Sequence, residues 1–399
     1  MKPLLVLSPF SVAPARFGGS IRVFHLLREV ARHRGVKLFS QQVGRSGLRW
    51  SLSPLERELA PGWVEHASRN PFSIGHFAAL SFLLRSPPIG QAAVLHVSAP
   101  RWLRRELARA VVVQVEHPWQ FRWAHQHRSP GCPIVYSAHN VEADLAERND
   151  HLPRLVAGLI RREIERAESF AVAKADRIVC VSEEDAARLV ERYGAHRSRI
   201  EVVFNGVDCS AIRPASRDER TTRKRELGLE GKPVVLFSGS TYAPNVDAAH
   251  RILAWARQTQ GPDVLYLIVG GVGRLLPRES SDRIRITGPV PDVRPYFQAS
   301  DLAINPVTWG SGSNLKQLEY LAAGLPSVTT PTGARGLGLT PSIHALVESL
   351  EAMPQRLAWL LRNPGTGASL ARAGRELAER YFDWPILGRR LNEVYEALG

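Results

Sequence analysis

Apolar residues recur along this chain in two rhythms, short unbroken runs and helical stripes, and the two alternate. Residues 3–8 (PLLVLS) form a run of the kind that makes a buried strand. After a loop over 9–19, Ile21, Phe24, Leu27, Val30 and Ala31 fall at helical spacing and predict a helix over 20–34. Val36–Gln41 reads as a second strand, which makes a βαβ unit and the start of a parallel sheet. Residues 43–70 read as irregular, with Trp50 and Trp63 stranded among Arg, Ser and Pro, and 71–84 read as an unusually apolar helix. Further strands are predicted at 92–97, 111–115 and 134–137, then a long charged helix over 142–174 and a strand over 176–182. Ser182, with Asp185 after it, starts the next helix, and a strand over 199–204 ends in the turn signal Asn205-Gly206-Val207-Asp208.

A polar stretch over 209–231 interrupts this series, and its segment 213–225 has no core face, so it reads as a linker. The pattern then restarts, with strands at 233–238, 263–270, 284–287 and 301–305 and helices at 245–259 and 293–299. A final amphipathic helix is predicted over 384–398. At 399 residues the chain exceeds one ordinary core. Two doubly wound α/β halves joined near residue 210 is the economical architecture.

The segment 309–330 (WGSGSNLKQLEYLAAGLPSVTT) carries the clearest chemistry. Gly310-Ser311-Gly312-Ser313 is a small, flexible run. Leu315, Leu318, Leu321 and Ala322 then mark a helix, Gly324-Leu325-Pro326 stops it, and Ser327–Thr329 is β-prone. A glycine-rich loop feeding a helix start offers free N–H groups and the positive end of the helix dipole to an anion. Lys316 adds a cation there, and Glu319 shares its face one turn on, placed to accept two hydroxyl hydrogen bonds. The set suits a nucleotide diphosphate and its ribose. The same residues also describe an ordinary amphipathic helix with a weak surface pair. His139, where the 134–137 strand ends, is placed for chemistry, since ligands of open α/β sheets bind outside the carboxyl ends of strands. A strand-end histidine satisfied by backbone groups has the same signature.

Composition narrows the class. With 23% charged and 44% hydrophobic residues, a short N-terminal apolar run and no membrane-length window, the chain reads as a soluble cytoplasmic protein without a signal peptide. Cys132, Cys180 and Cys209 form no CxxC pair, which argues against a disulfide framework or a zinc site. The net charge of +14 suggests an acidic partner: nucleotide, nucleic acid or anionic membrane. The Lys and Arg are scattered, without aromatic interleaving, so no nucleic acid is expected as a partner.

Several stretches, in order and across nearly the whole chain, resemble the family 4 glycosyltransferases, retaining enzymes of the GT-B fold. SGSNLKQLEYLAAGLPSV is similar to that family's donor-binding segment, VSEEDAARL with VVFNGVD to its interdomain stretch, and FSGSTYAPNVDAA to the start of its second domain. GPVPDVRPYFQASDLAINP resembles a later strand–helix–strand, PFSVAPARFGGSIRVFHLLREVA the acceptor-side loop and helix, and YSAHNVEADL the segment bearing a catalytic-region histidine.

The resemblance implies two Rossmann-like domains facing across a cleft: an acceptor-side domain over 1–208, a nucleotide-sugar domain over 209–380, and a C-terminal helix over 381–399 crossing back. It implies transfer of a sugar, as a hexosyltransferase would, from a nucleotide-diphosphate sugar to a saccharide or lipid-linked acceptor, with retention, in envelope or exopolysaccharide synthesis. Glu319 would bind the ribose. Gly312, Ser313, Asn314 and Leu315 would offer amides to the diphosphate, with Lys316 neutralising it. His139 would contact the transferred sugar, Gly18 and Gly19 would admit the donor phosphates, and Asn205 would lie nearby.

Two departures stand out. Ser311 replaces the family's usual Glu, which puts the sugar's identity in doubt, and Ser240-Thr241-Tyr242-Ala243-Pro244-Asn245 replaces its frequent Arg/Lys pair, with Lys316 substituting for that charge. No cofactor and no metal are expected, since no Asp-x-Asp motif follows a strand. A nucleotide-sugar epimerase is the alternative enzyme, and a basic nucleic-acid-binding protein the alternative class. The arginines at 101, 104, 105, 109, 161 and 162, with the apolar stretch Phe72, Ile74, Phe77, Leu80, Phe82 and Leu83, predict peripheral contact with an anionic membrane.

Overall fold

A computed structural model describes residues 3–15, 17–41, 51–70, 91–147, 153–258, 262–278, 280–310 and 313–399. The chain forms two compact units: residues 1–204 with 387–399, and residues 205–386. Each is built on a twisted, mostly parallel sheet.

The first sheet has the order β3-β4-β2-β1-β5-β6-β7-β8. Its strands are β1 (Leu4–Ser8), β2 (Val36–Gln41), β3 (Ser51–Ala60), β4 (Trp63–Arg69), β5 (Val113–Glu116), β6 (Ile134–Ser137), β7 (Arg177–Cys180) and β8 (Ile200–Val202). All neighbours run parallel except β3 and β4. The chain leaves β1 towards β2 on one side, while β5 lies on the other. This switch point opens a crevice above the carboxyl ends of β1 and β5. The Gly18–Val30 helix rises beside it, and within it Arg22 is buried and donates to the carbonyls of Val203 and Phe204, at 2.7 Å each. The second sheet has the order β11-β10-β9-β12-β13-β14. Its strands are β9 (Val234–Ser238), β10 (Leu265–Val269), β11 (Ile284–Gly288), β12 (Leu302–Asn305), β13 (Ser327–Thr329) and β14 (Leu346–Val347), all parallel. Its switch point lies between β9 and β12 by the same rule.

Five sequence expectations are corrected. The irregular stretch contains the β3–β4 hairpin. Its β3 is an edge strand whose Leu52, Leu55 and Leu59 do not fall at two-residue spacing and which carries Pro54, tolerated at an edge, so no alternation betrays it. Trp63 is wholly buried rather than stranded, and the buried Glu65 beside it is satisfied by Ser40 Oγ at 2.6 Å, Arg57 Nε at 2.6 Å and the Val12 amide at 3.3 Å. The expected strand at 92–97 is the helix Gln91–Ser98, because a short apolar run does not itself distinguish strand from helix. The long helix is two, Glu142–Ala146 and Arg154–Lys174, the second starting just after Pro153.

The expected linker holds the helix Arg217–Leu227, none of it buried. It is held at its start by reciprocal Ser216–Glu219 capping bonds and at its end by Gly228 in a left-handed conformation. Trp50 and the apolar stretch over 71–84 lie outside the described residues. Among the described residues no helix is long and apolar enough to cross a membrane.

Candidate functional site

Each unit gathers candidate groups at its own switch point. In the first unit, β5 ends at Glu116 and β6 at Ser137, two residues before His139. His139 Nε2 lies 2.6 Å from Glu116 Oε2, and both side chains are buried. Burial pushes His139 down to about 4, with the neighbouring His117 acting the same way and Glu116 opposing. Burial alone would raise Glu116, but hydrogen bonds from His139, Ser137 and Gln114 leave it below the ordinary carboxylate range. The pair is therefore a neutral imidazole donating from Nε2 to a carboxylate, and that assignment leaves His139 Nδ1 as an acceptor.

His139 Nδ1 faces Gly19. A Cβ on Gly19 would lie 3.4 Å from it, 3.1 Å from Phe10 and 3.2 Å from Phe17, so a side chain there would crowd the imidazole. Gly18 starts the helix and is exposed. The structure thus brings Gly19 and His139 together, with Phe10 edge-on to the histidine at 6.4 Å. Glu116 was not legible as a partner, because its contact depends on β5 lying beside β6.

In the second unit the helix Leu315–Ala322 follows β12, and its capping residue Asn314 makes no side-chain cap bond. The Gln317 amide donates to the Asn314 carbonyl at 2.9 Å, and among the described residues no side chain caps the Leu315 and Lys316 amides, which suits an anion there. Lys316 Nζ donates to Asn245 Oδ1 at 2.7 Å and to Asn314 Oδ1 at 3.1 Å, and lies 5.6 Å from the centre of the Phe237 ring. The lysine charge thus stands beside Asn245, within the 240–245 stretch that the resemblance sets against the family's frequent Arg/Lys pair. Asn205 Nδ2 donates to Ser313 Oγ at 2.8 Å, which puts Asn205 against the segment that leads into this helix.

The helix is anchored from behind. Tyr320 OH accepts from the Ser238 amide at 2.8 Å, and Gln317 Nε2 donates to Ser327 Oγ at 2.7 Å. The end of β9 is closely packed as well, since a Cβ on Gly270 (φ +105°) would stand 2.6 Å from the Gly239 carbonyl oxygen. Ser311 and Gly312 lie outside the described residues.

The Glu319 carboxylate has no hydrogen-bond partner among the described residues, so its acceptor oxygens are available. Burial pushes it up to about 7, with Lys316 opposing. Burial likewise pushes Lys316 down to about 8, with Glu319 opposing. Both side chains keep a partly open face, so water moderates these shifts. A cation at a helix start and a carboxylate one turn further, both incompletely satisfied, form a site that gains from an anion bearing hydroxyls. Among the described residues no three His, Cys, Asp or Glu side chains converge as a metal cradle, and the three cysteines are free and buried.

Comparison with known proteins bears on the fold and the family. Models of Glycosyltransferase Family 4 and of Glycosyl transferases group 1 match residues 18–211 and 232–363. The D-inositol 3-phosphate glycosyltransferase of Nocardia farcinica is 34% identical over 66% of this chain and 61% of its own length. That of Salinispora tropica is 29% identical over 70% and 62%. The chain thus spans under two thirds of the length of these curated relatives.

Among solved structures, sucrose-phosphate synthase from Thermosynechococcus elongatus superposes with a TM-score of 0.72 at 15% identity, covering 100% of this chain and 99% of that one. HepE of Anabaena, in complex with UDP and glucose, gives 0.70 at 14% identity, covering 99% of each chain. Likeness at such identity speaks for the fold, which is GT-B. With its two halves matched in order by these two models, the chain belongs to the family 4 glycosyltransferases.

Proposed function

We propose that the protein transfers a hexose from a nucleotide-diphosphate sugar to a saccharide or lipid-linked acceptor, with retention and without a metal ion. The observation that carries this reading is the Lys316 ammonium held by Asn245 at a helix start without a capping side chain, with a Glu319 carboxylate one turn on that has no hydrogen-bond partner among the described residues. The leaving group is a nucleotide diphosphate, and its growing charge needs donors placed in advance. The first-turn amides and Lys316 supply them. Ser313, Asn314 and Leu315 border the diphosphate, Glu319 takes the ribose hydroxyls, and His139 Nδ1 accepts from a hydroxyl of the transferred sugar. The relatives act on D-inositol 3-phosphate by name, and HepE is solved with UDP-glucose, so a uridine donor and a polyol acceptor are the first to try. Work at the cytoplasmic face of the membrane, in envelope or exopolysaccharide synthesis, suits the net charge of +14.

The test is a panel of UDP-, GDP- and ADP-sugars with D-inositol 3-phosphate, free sugars or anionic vesicles carrying a lipid-linked saccharide, at low and high salt, each with a chelator. Acceptor-dependent release of nucleotide diphosphate that survives the chelator is expected for at least one pair. Epimerised donor without transfer would favour the epimerase reading, and no turnover of any donor would overturn both.

A further inference from the structure

The first unit contains a second imidazole that the proposed reaction has not used. His117 directly follows β5 and has φ +62°, a left-handed conformation uncommon for a residue with a Cβ. Its amide donates to the Ser137 carbonyl at 3.0 Å, which holds this turn against β6. Such strain concentrates at functional sites, and here it is accompanied by a specific contact. His117 Nδ1 lies 2.7 Å from Glu142 Oε1. The ring stacks on His139 with centroids 4.3 Å apart and planes 30° apart, and Phe10 meets it edge-on at 5.8 Å.

Glu142 is itself fixed. Buried Glu168 accepts from the amides of Glu142 and Ala143, at 2.8 and 3.1 Å, and from the hydroxyls of Tyr193 and Tyr136, at 2.8 and 3.2 Å. These bonds hold the Glu142 backbone, and the carboxylate carried on it sets the tautomer and the ring orientation of the histidine it meets. With Nδ1–H donating to Glu142, His117 Nε2 is left as an acceptor, and among the described residues it has no partner. The His117 side chain keeps 14% of its surface open, against 6% for His139. A histidine serving packing alone would have no need of a strained backbone, a braced carboxylate and a free acceptor nitrogen together.

We propose that His117 Nε2 accepts a hydrogen bond from a hydroxyl of the polyol or saccharide acceptor, making His117 a specificity-determining residue beside His139. Glu142 positions it, and Glu168 positions Glu142. This rests on the transfer reading above, so the test needs one arm that does not require transfer.

In the first arm, long-range nitrogen–proton spectra of the imidazoles are recorded with and without D-inositol 3-phosphate and with glucose. The expected result is an Nδ1–H tautomer for His117 in the free protein and a shift of its Nε2 signal with one of these probes. An Nε2–H tautomer, or an Nε2 signal that none of the probes moves, overturns the proposal whether or not the protein transfers sugar. In the second arm, His117→Asn and Glu142→Gln are compared with wild type using the active donor–acceptor pair; asparagine tolerates the left-handed backbone. His117→Asn should raise the acceptor KM about tenfold or more, the loss expected for one hydrogen bond of this kind, with nucleotide affinity within about twofold. Glu142→Gln should give a smaller rise, because His117 is still present. A lowered melting temperature with unchanged acceptor KM would overturn the proposal. If wild type transfers nothing, the transfer reading fails, and the spectra alone decide whether the hydroxyl site exists.

Discussion

Lys316→Ala and Glu319→Ala should each weaken binding of UDP-glucose about tenfold or more while leaving the protein folded. Each removes a charged hydrogen-bonding group, and such bonds contribute about 1.5–3 kcal/mol. Neither side chain sustains the fold, since the helix is held from behind by Tyr320 and Gln317. The two losses differ in their pH dependence. In the empty site Lys316 titrates near 8, so affinity for the diphosphate should fall above about pH 8 as the ammonium loses its proton. Glu319 titrates near 7, so affinity should also fall below about pH 7 as the carboxylate gains one. UDP-glucose has no phosphate group titrating in this range, so both limbs belong to the protein. Calorimetric titration from pH 6 to 9 should show tightest binding between the two values. Lys316→Ala should lose the alkaline limb and Glu319→Ala the acid limb. Unchanged affinity in both variants would remove the donor-site assignment.

His139→Ala should lower kcat on the order of a hundredfold, the cost of a reacting group displaced by about 1 Å, with nucleotide affinity nearly unchanged. The imidazole is held by Glu116 at one nitrogen and left open at the other, beside a glycine that keeps the approach clear. Burial keeps it neutral down to about pH 4, so the imidazole itself should contribute no step to the pH profile of kcat between 5 and 8. Steady-state kinetics with the active donor–acceptor pair check both statements. A stability loss with normal turnover would instead make His139 a packing residue.

How far the sequence reveals this depends on whether a feature is local. The helix over Leu315–Ala322 and the strand Ser327–Thr329 are legible because apolar spacing and the Gly324-Leu325-Pro326 stop lie within one segment. The placement of His139 after β6 is legible for the same reason. Ser182 is another local signal, and its hydroxyl accepts from the Asp185 amide at 3.0 Å. Glu116 and His117 are not legible as partners of His139 and Glu142, because only the β5–β6 pairing brings them together. The Lys316–Asn245 contact spans 71 residues, and here the family resemblance, not periodicity, pointed to the charge substitution. The hairpin over 51–69 is hidden by an edge strand whose leucines do not alternate. The helix Arg217–Leu227 is hidden because caps and ion pairs such as Arg213–Glu219, at 2.5 Å, hold it instead of a core face. Helices Met353–Arg362 and Pro364–Leu377 received no sequence assignment. The second anchors the start of its unit, with Arg375 donating to the carbonyls of Cys209 at 2.8 Å and Ile212 at 2.6 Å.

Hydrogen exchange with and without saturating UDP locates the donor site without depending on turnover. Protection should concentrate at residues 313–322 and 238–247, the segments that carry Ser313, Lys316, Glu319 and Asn245 at the carboxyl ends of β9 and β12. Protection absent from both segments, or confined to the hollow lined by Lys224, Lys232 and Asp301 at the opposite ends of those strands, would contradict the assignment.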